Sequence, residues 1–143
     1  FGPRSTSEAA ERIQEFFDVP VKPLELVSNR YYHLDTCFVT LSGGEVLYYP
    51  SAFSKMALSV IREHVPADAL IEASDEDAER FAVNAVSIAK DVIMAEPTSR
   101  LADQLGERGY SVTPLNLKPF IMAGGGAYCM TLRLDLESKV AGQ

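Results

Sequence analysis

The sequence predicts an α/β fold assembled from repeated hairpin–helix–strand (ββαβ) units. Three observations carry that prediction. Short β-rich runs occur in pairs across turn residues: 37–41 and 46–49 flank Ser42-Gly43-Gly44, and 85–88 and 92–94 flank Lys90-Asp91. Each pair is followed by a stretch with helical apolar spacing and then by one further short strand. The order returns at about fifty residues while the residues themselves change, so the architecture repeats rather than the sequence.

The elements follow in chain order. Ser5 and Glu8 have capping-box spacing, and Ala9, Ile13, Phe16 and Phe17 then share one helical face. Arg4 is thereby placed in the loop before a helix N-terminus. Residues 21–27 alternate but contain Pro23 and follow Pro20, which suits a short strand near an edge. The first unit comprises the hairpin, a helix over about 54–64 with Phe53, Ala57, Leu58 and Ile61 inward, and a strand at 69–72. An acidic helical segment at 75–81 leads to the second unit, because Val83, Val86, Val92 and Ile93 favour helix-then-hairpin over one long helix. A helix over about 98–108 stops at Gly109, and 110–115 closes the unit. A third unit opens with a strand at 128–134 and is cut short by the polar tail.

The 143 residues and 47% hydrophobic content suit one domain with a real core. A net charge of −7 and no Lys/Arg cluster argue against nucleic acid and suit a small cationic substrate. No apolar run approaches the ~20 residues that span a bilayer. Cys37 and Cys129 are the two cysteines, without CxxC spacing, and are expected to be reduced thiols in the cytoplasm. Two histidines without clustered ligands argue against a zinc site, and no cofactor is expected. The start at Phe1-Gly2-Pro3-Arg4 suggests part of a longer chain.

Two stretches carry candidate chemistry. Gly124-Gly125-Gly126-Ala127-Tyr128-Cys129 sets a thiol at the mouth of a strand, beside bare backbone whose carbonyls could meet a substrate's N–H groups. The plain alternative is a glycine loop before a core strand, with Cys129 a small hydrophobe. Tyr32-His33-Leu34-Asp35-Thr36-Cys37-Phe38 places His33 and Asp35 two apart, on one face if the segment is a strand. An imidazole can move a proton at neutral pH, and a carboxylate can hold a cation. Cys129 with His33 is a thiol and a base from distant parts of the chain, a layout suited to nucleophilic catalysis. Cys37 reads as core, Asn84 as a turn or backbone-satisfying residue, and His64 as a helix-end residue.

Taken together, the His-Leu-Asp-Thr-Cys-Phe stretch and the Gly-Gly-Gly-Ala-Tyr-Cys stretch resemble the pentein superfamily of guanidine-modifying enzymes. That group includes arginine deiminases, arginine dihydrolases, dimethylarginine dimethylaminohydrolases and amidinotransferases. Gly2-Pro3-Arg4-Ser5-Thr6 is similar to the family's Ser-x-Arg-Thr segment, with Arg-Ser-Thr in place of Arg-Thr, and Asn84-Ala85-Val86 is similar to another recurrent segment. The resemblance implies a five-bladed α/β propeller of ββαβ modules. Because the family also uses a carboxylate pair from earlier modules, residues 1–143 are expected to be the C-terminal half of one amidinotransferase-like propeller domain.

What the resemblance implies for the site is specific. Cys129 would attack the guanidinium carbon, and His33 would protonate the departing amine and then activate water. Asp35 and Arg4 would bind the guanidinium and the α-carboxylate, and Gly125 and Gly126 would line the substrate. The expected activity is hydrolysis of the guanidino group of arginine or a derivative, with amidinotransfer as the alternative. Asp35 stands where the better-studied dimethylarginine hydrolases carry lysine, which favours an unmethylated substrate. A non-catalytic propeller half serving binding or assembly is the rival from another class. The expected partners are the missing half of the propeller, in the same or a separate chain, and a second copy in a homo-oligomer.

Overall fold

The computed structural model describes residues 1–132 and 134. Helix α1 (Glu8–Phe17) precedes two ββαβ units. The first comprises β1 (Phe38–Thr40), β2 (Val46–Tyr48), α2 (Lys55–His64) and β3 (Leu70–Glu72). A short α3 (Asp75–Glu79) leads to the second, comprising β4 (Val86–Ile88), β5 (Asp91–Ala95), α4 (Ser99–Glu107) and β6 (Ser111–Leu115). Helix α5 (Lys118–Met122) and the glycine loop follow. In each sheet a hairpin supplies the antiparallel pair, β1–β2 with Val39 opposite Leu47 and β4–β5 with Ser87 opposite Val92. The helix then carries the chain back to a parallel third strand, β3 beside β2 and β6 beside β5. A parallel neighbour requires such a crossover, which is why the helix sits between the second and third strands.

The central strand β2 is buried throughout. Its alternation splits its side chains between two cores. Leu47 joins Ile71, Val83, Val92, Met94, Leu101 and Leu105, while Val46 and Tyr48 join Phe53, Ala57, Ile61 and Cys37. Burying a side chain such as Leu47 contributes about 1.5–3 kcal/mol, so the first unit's middle strand anchors both clusters. Helix entry is fixed by side-chain caps: Ser54 Oγ accepts from the Ala57 amide at the start of α2, and Thr98 Oγ1 from the Leu101 amide at the start of α4. Ser74 and Asp77 form a reciprocal capping box on α3. Fully buried Asp77 also accepts from the Thr98 amide at 2.8 Å, tying the two helix entries together. Burial would raise the Asp77 carboxyl pKa, but hydrogen bonds from Ser74 and Thr98 more than offset this and hold it below its ordinary value.

The two units dock through the β1–β2 turn. The Ser42 amide donates to Ser87 Oγ at 3.0 Å and the Gly43 amide to the Tyr110 hydroxyl at 2.8 Å. A Cβ at Gly43 would lie 2.5 Å from that hydroxyl and from Glu45 Oε2, so any larger residue would have to push both side chains aside.

Several expectations from the sequence are corrected. Residues 21–27 form no strand; Leu26 makes a single bridge to Phe53, and Glu25 O and Val27 N bond the loop before α2. With Pro20 and Pro23 lacking N–H groups, the segment cannot supply a full ladder. Helix α1 begins after Ser7, and neither Ser5 nor Ser7 gives the expected cap. The second hairpin turns at Ala89 and Lys90, one residue earlier than expected, with Ala89 at φ +50°. Residues 128–130 form a 3-10 turn instead of a strand, and Thr131, Leu132 and Leu134 join no strand. Alternation alone makes a strand only where a partner strand is present, and none pairs with this stretch among the described residues. Arg133 and residues 135–143 lie outside the described residues.

Candidate active site

The turn after α3 builds the site. Phe81 adopts φ +65°, an unusual conformation for a bulky side chain, and reverses the chain so that Asn84 points inward. Asn84 is 0% exposed. Its Nδ2 donates to the Asp35 carbonyl oxygen at 2.9 Å and to Asp35 Oδ2 at 3.0 Å. Its Oδ1 accepts from the Cys129 amide at 3.3 Å, and its own carbonyl accepts from the Tyr128 amide at 3.3 Å. Three segments distant in sequence are thereby pinned to one side chain.

Asp35 lies in a 3-10 turn, Leu34–Thr36, and not in a strand. The turn is closed by Thr36, whose hydroxyl donates to the His33 carbonyl oxygen at 2.6 Å. The Cys129 thiol donates to Asp35 Oδ2 at 3.2 Å. Partial burial of the sulfur raises the Cys129 pKa above its ordinary value; the Gly126 amide draws it back, while the hydrogen bond and charge of Asp35 push it further up. The thiol is therefore protonated at neutral pH in the unliganded chain, and a cation placed between sulfur and carboxylate would favour the thiolate. Cys37, fully buried and pushed up to about 12 by burial, is an inert core thiol as the sequence suggested.

The glycines serve close packing here. Gly124 has φ +103°, a Cβ on Gly125 would press on Cys129 Cβ at 3.2 Å, and one on Gly126 would lie 2.6 Å from Asn84 Oδ1. Gly126 is thus the surface against which Asn84 closes.

His33 and Arg4 form a second, separate cluster. The Tyr32 ring meets the His33 ring edge-on at 4.7 Å, and the Arg4 guanidinium lies over the Tyr32 ring at 4.9 Å. His33 and Arg4 are both exposed, and His33 makes no hydrogen bond to Asp35 or Cys129 among the described residues. The premise that a strand would bring His33 and Asp35 to one face fails because the 3-10 turn begins between them. Two cavities lie beside the clusters, lined by Asp35 of the first cluster and by Tyr32 and His33 of the second. A cleft of about 1060 Å³ between β1 and β4 reaches Asp35 and Tyr128, and a pocket of about 370 Å³ between α1 and residues 21–26 reaches His33. Leu34 lines both, and its neighbour Asp35 lines the first. The residue that sequence reasoning undervalued is Asn84; its only signal was membership in the Asn84-Ala85-Val86 segment.

No family model matches the chain. Curated relatives do. The bifunctional arginine dihydrolase/ornithine cyclodeaminase ArgZ of Synechocystis is 40% identical over 134 residues, 94% of this chain and 19% of that protein. The N(G),N(G)-dimethylarginine dimethylaminohydrolase of Mycobacterium tuberculosis is 34% identical, over 94% of this chain and 44% of its own length. The substrate-bound N-terminal domain of cyanobacterial ArgZ superposes with a TM-score of 0.90 at 40% identity, covering 93% of this chain and 49% of that one. A Pseudomonas aeruginosa dimethylarginine dimethylaminohydrolase, at 19% identity and a TM-score of 0.69, shares the fold. The chain thus spans about half of the solved ArgZ domain and less of the curated proteins. Over nearly its whole length the chain is thus similar to half of the ArgZ N-terminal domain, and its two ββαβ units have the pentein fold.

Proposed function

We propose that the chain is the C-terminal half of a pentein domain that hydrolyses the guanidino group of arginine or an arginine derivative through a covalent bond to Cys129. The observation that carries this reading is the 3.2 Å contact between Cys129 Sγ and Asp35 Oδ2, a nucleophile and an anion set to share one planar cation. The relatives support it: ArgZ is named an arginine dihydrolase, a Cys-to-Ser variant of its N-terminal domain was solved with substrate, and another variant was solved with a covalently bound reaction intermediate.

In this mechanism the guanidinium docks against Asp35 and its charge lowers the thiol pKa, releasing the thiol proton to solvent. The Cys129 thiolate forms an S–C bond to the guanidinium carbon. The C–N bond to the departing amine breaks as that nitrogen takes a proton from His33. Water then adds to the amidino-thioether, giving one proton to His33, and the C–S bond breaks as the added oxygen loses its other proton to solvent, releasing a ureido product and the thiolate. His33 must turn from its packing on Tyr32 past Leu34 toward Asp35 to reach the reacting nitrogen. Arg4 binds the substrate carboxylate, a bidentate pairing suited to guanidinium. Gly125 and Gly126 line the substrate with bare backbone.

The other half of the domain, in the same or another chain, completes the site. The 1060 Å³ cleft is mostly apolar and far larger than an amino acid, and Ile88 and Leu132 stand exposed in it. On α1, Ile13, Phe16 and Phe17 are likewise uncovered. No helix among the described residues is long and apolar enough to cross a membrane. Two free thiols favour a reducing compartment such as the cytoplasm.

Incubating the full-length protein with arginine, methylated arginines and agmatine, followed by mass spectrometry, tests the reading. A ureido or amine product that disappears in Cys129→Ala is expected. A new guanidino compound when glycine or ornithine is supplied would replace hydrolysis with amidinotransfer, and absence of any turnover would favour a binding module.

A further inference from the structure

Asn84 holds a polar side chain at complete burial, and its amide is used on both sides: two donations to Asp35 and one acceptance from Cys129. A residue needed only to close a turn would satisfy itself on nearby backbone. Asn84 instead spends a donor on Oδ2, the same carboxylate oxygen that receives the thiol proton. This orientation of the amide is the one that satisfies all three contacts, since a carboxylate and a carbonyl oxygen need a donor and the Cys129 N–H needs an acceptor. Gly126 is bare where the amide seats, with room for no Cβ.

We propose that Asn84 is a positioning residue for the guanidine chemistry, fixing the Asp35 carboxylate and the Cys129 backbone so that one cation meets carboxylate and sulfur together. The inference rests on the proposed function for its substrate class, but the geometry it claims can be read without turnover. Removing the amide leaves Asp35 free to rotate away and the Cys129 turn without its anchor.

The test compares alkylation of Cys129 by cationic 2-chloroacetamidine and by neutral 2-chloroacetamide in the full-length protein. The parent should prefer the amidine. Asn84→Ala should reduce that preference by about tenfold or more, the scale of one charge-assisted hydrogen bond. Asp35→Ala should reduce it similarly, and the double variant should lose little more, because the two act as one unit. Asn84→Asp preserves shape if Asn84→Ala fails to fold. Its preference should survive at acid pH, where the introduced carboxyl can donate, and fall as that carboxyl ionises. Equal loss of both alkylation rates with the preference intact, or losses that add in the double variant, would make Asn84 merely structural and overturn the proposal. A preserved amidine preference without turnover of any guanidine would sink the functional reading while leaving this one standing.

Discussion

The cluster of Asn84, Asp35 and Cys129 and the cluster of Arg4, Tyr32 and His33 hold the same number of candidate groups but are built differently. In the first, a fully buried amide donates and accepts hydrogen bonds of 2.9–3.3 Å and ties segments 49 and 45 residues away. In the second, Arg4 and His33 are exposed and Tyr32 half-buried, and the three touch one another by ring-edge and cation–π contacts. Buried, satisfied polar groups hold a geometry because breaking it strands a donor or acceptor, whereas exposed aromatic contacts cost little to rearrange. The first cluster is thus preassembled, and under the proposed function the second is organised by substrate and by the other half of the domain.

Substitution should break this contrast in a graded way. Asp35→Ala should lower kcat/KM by about 100-fold, the scale of a misplaced reacting group, and should do so mainly through kcat. Arg4→Ala should act mainly on KM, by about tenfold, since the role proposed for its exposed guanidinium is to bind the remote end of the substrate. Steady-state kinetics on the full-length protein separates the two. Comparable kcat losses in both variants would mean that the clusters already work as one.

A smaller effect sharpens the electrostatic half of the comparison. The unliganded thiol of Cys129 should react with neutral iodoacetamide along a pH curve whose midpoint lies above the ordinary thiol value of about 8.5. Burial is the leading cause and Asp35 adds to it. Asp35→Asn removes a negative neighbour, so the thiolate is favoured and the midpoint should move down without reaching a strongly acidic value. A midpoint unchanged by Asp35→Asn would show that the 3.2 Å contact does not persist in solution.

The repeat was readable because its signals are local. Gly43-Gly44 and the β-branched runs mark hairpins, Ser54 and Thr98 cap helices, and apolar spacing sets the inward faces. The site was readable in part. The pentein resemblance singled out Cys129 and Asp35, which meet across 94 residues of sequence, whereas period-two reasoning pairs Asp35 with His33. That period does not apply across a 3-10 turn, which nothing in Leu34-Asp35-Thr36 announced before Thr36 was seen to bond the His33 carbonyl. Asn84 was hidden for another reason: an asparagine in a turn is ordinary, and only its burial and its partners across 49 residues give it weight. The expected strand at 128–134 failed because alternation reports side-chain preference and carries no information about a pairing partner.

The central claim is a covalent bond between Cys129 and the guanidino carbon. Acid-quenching the full-length protein during turnover of arginine, followed by peptide mass spectrometry, measures it directly. The account predicts a mass gain on the Cys129 peptide equal to the substrate less its departing amine, and none in Cys129→Ala. Turnover that continues with no adduct on that peptide, or an adduct on Cys37, would contradict it.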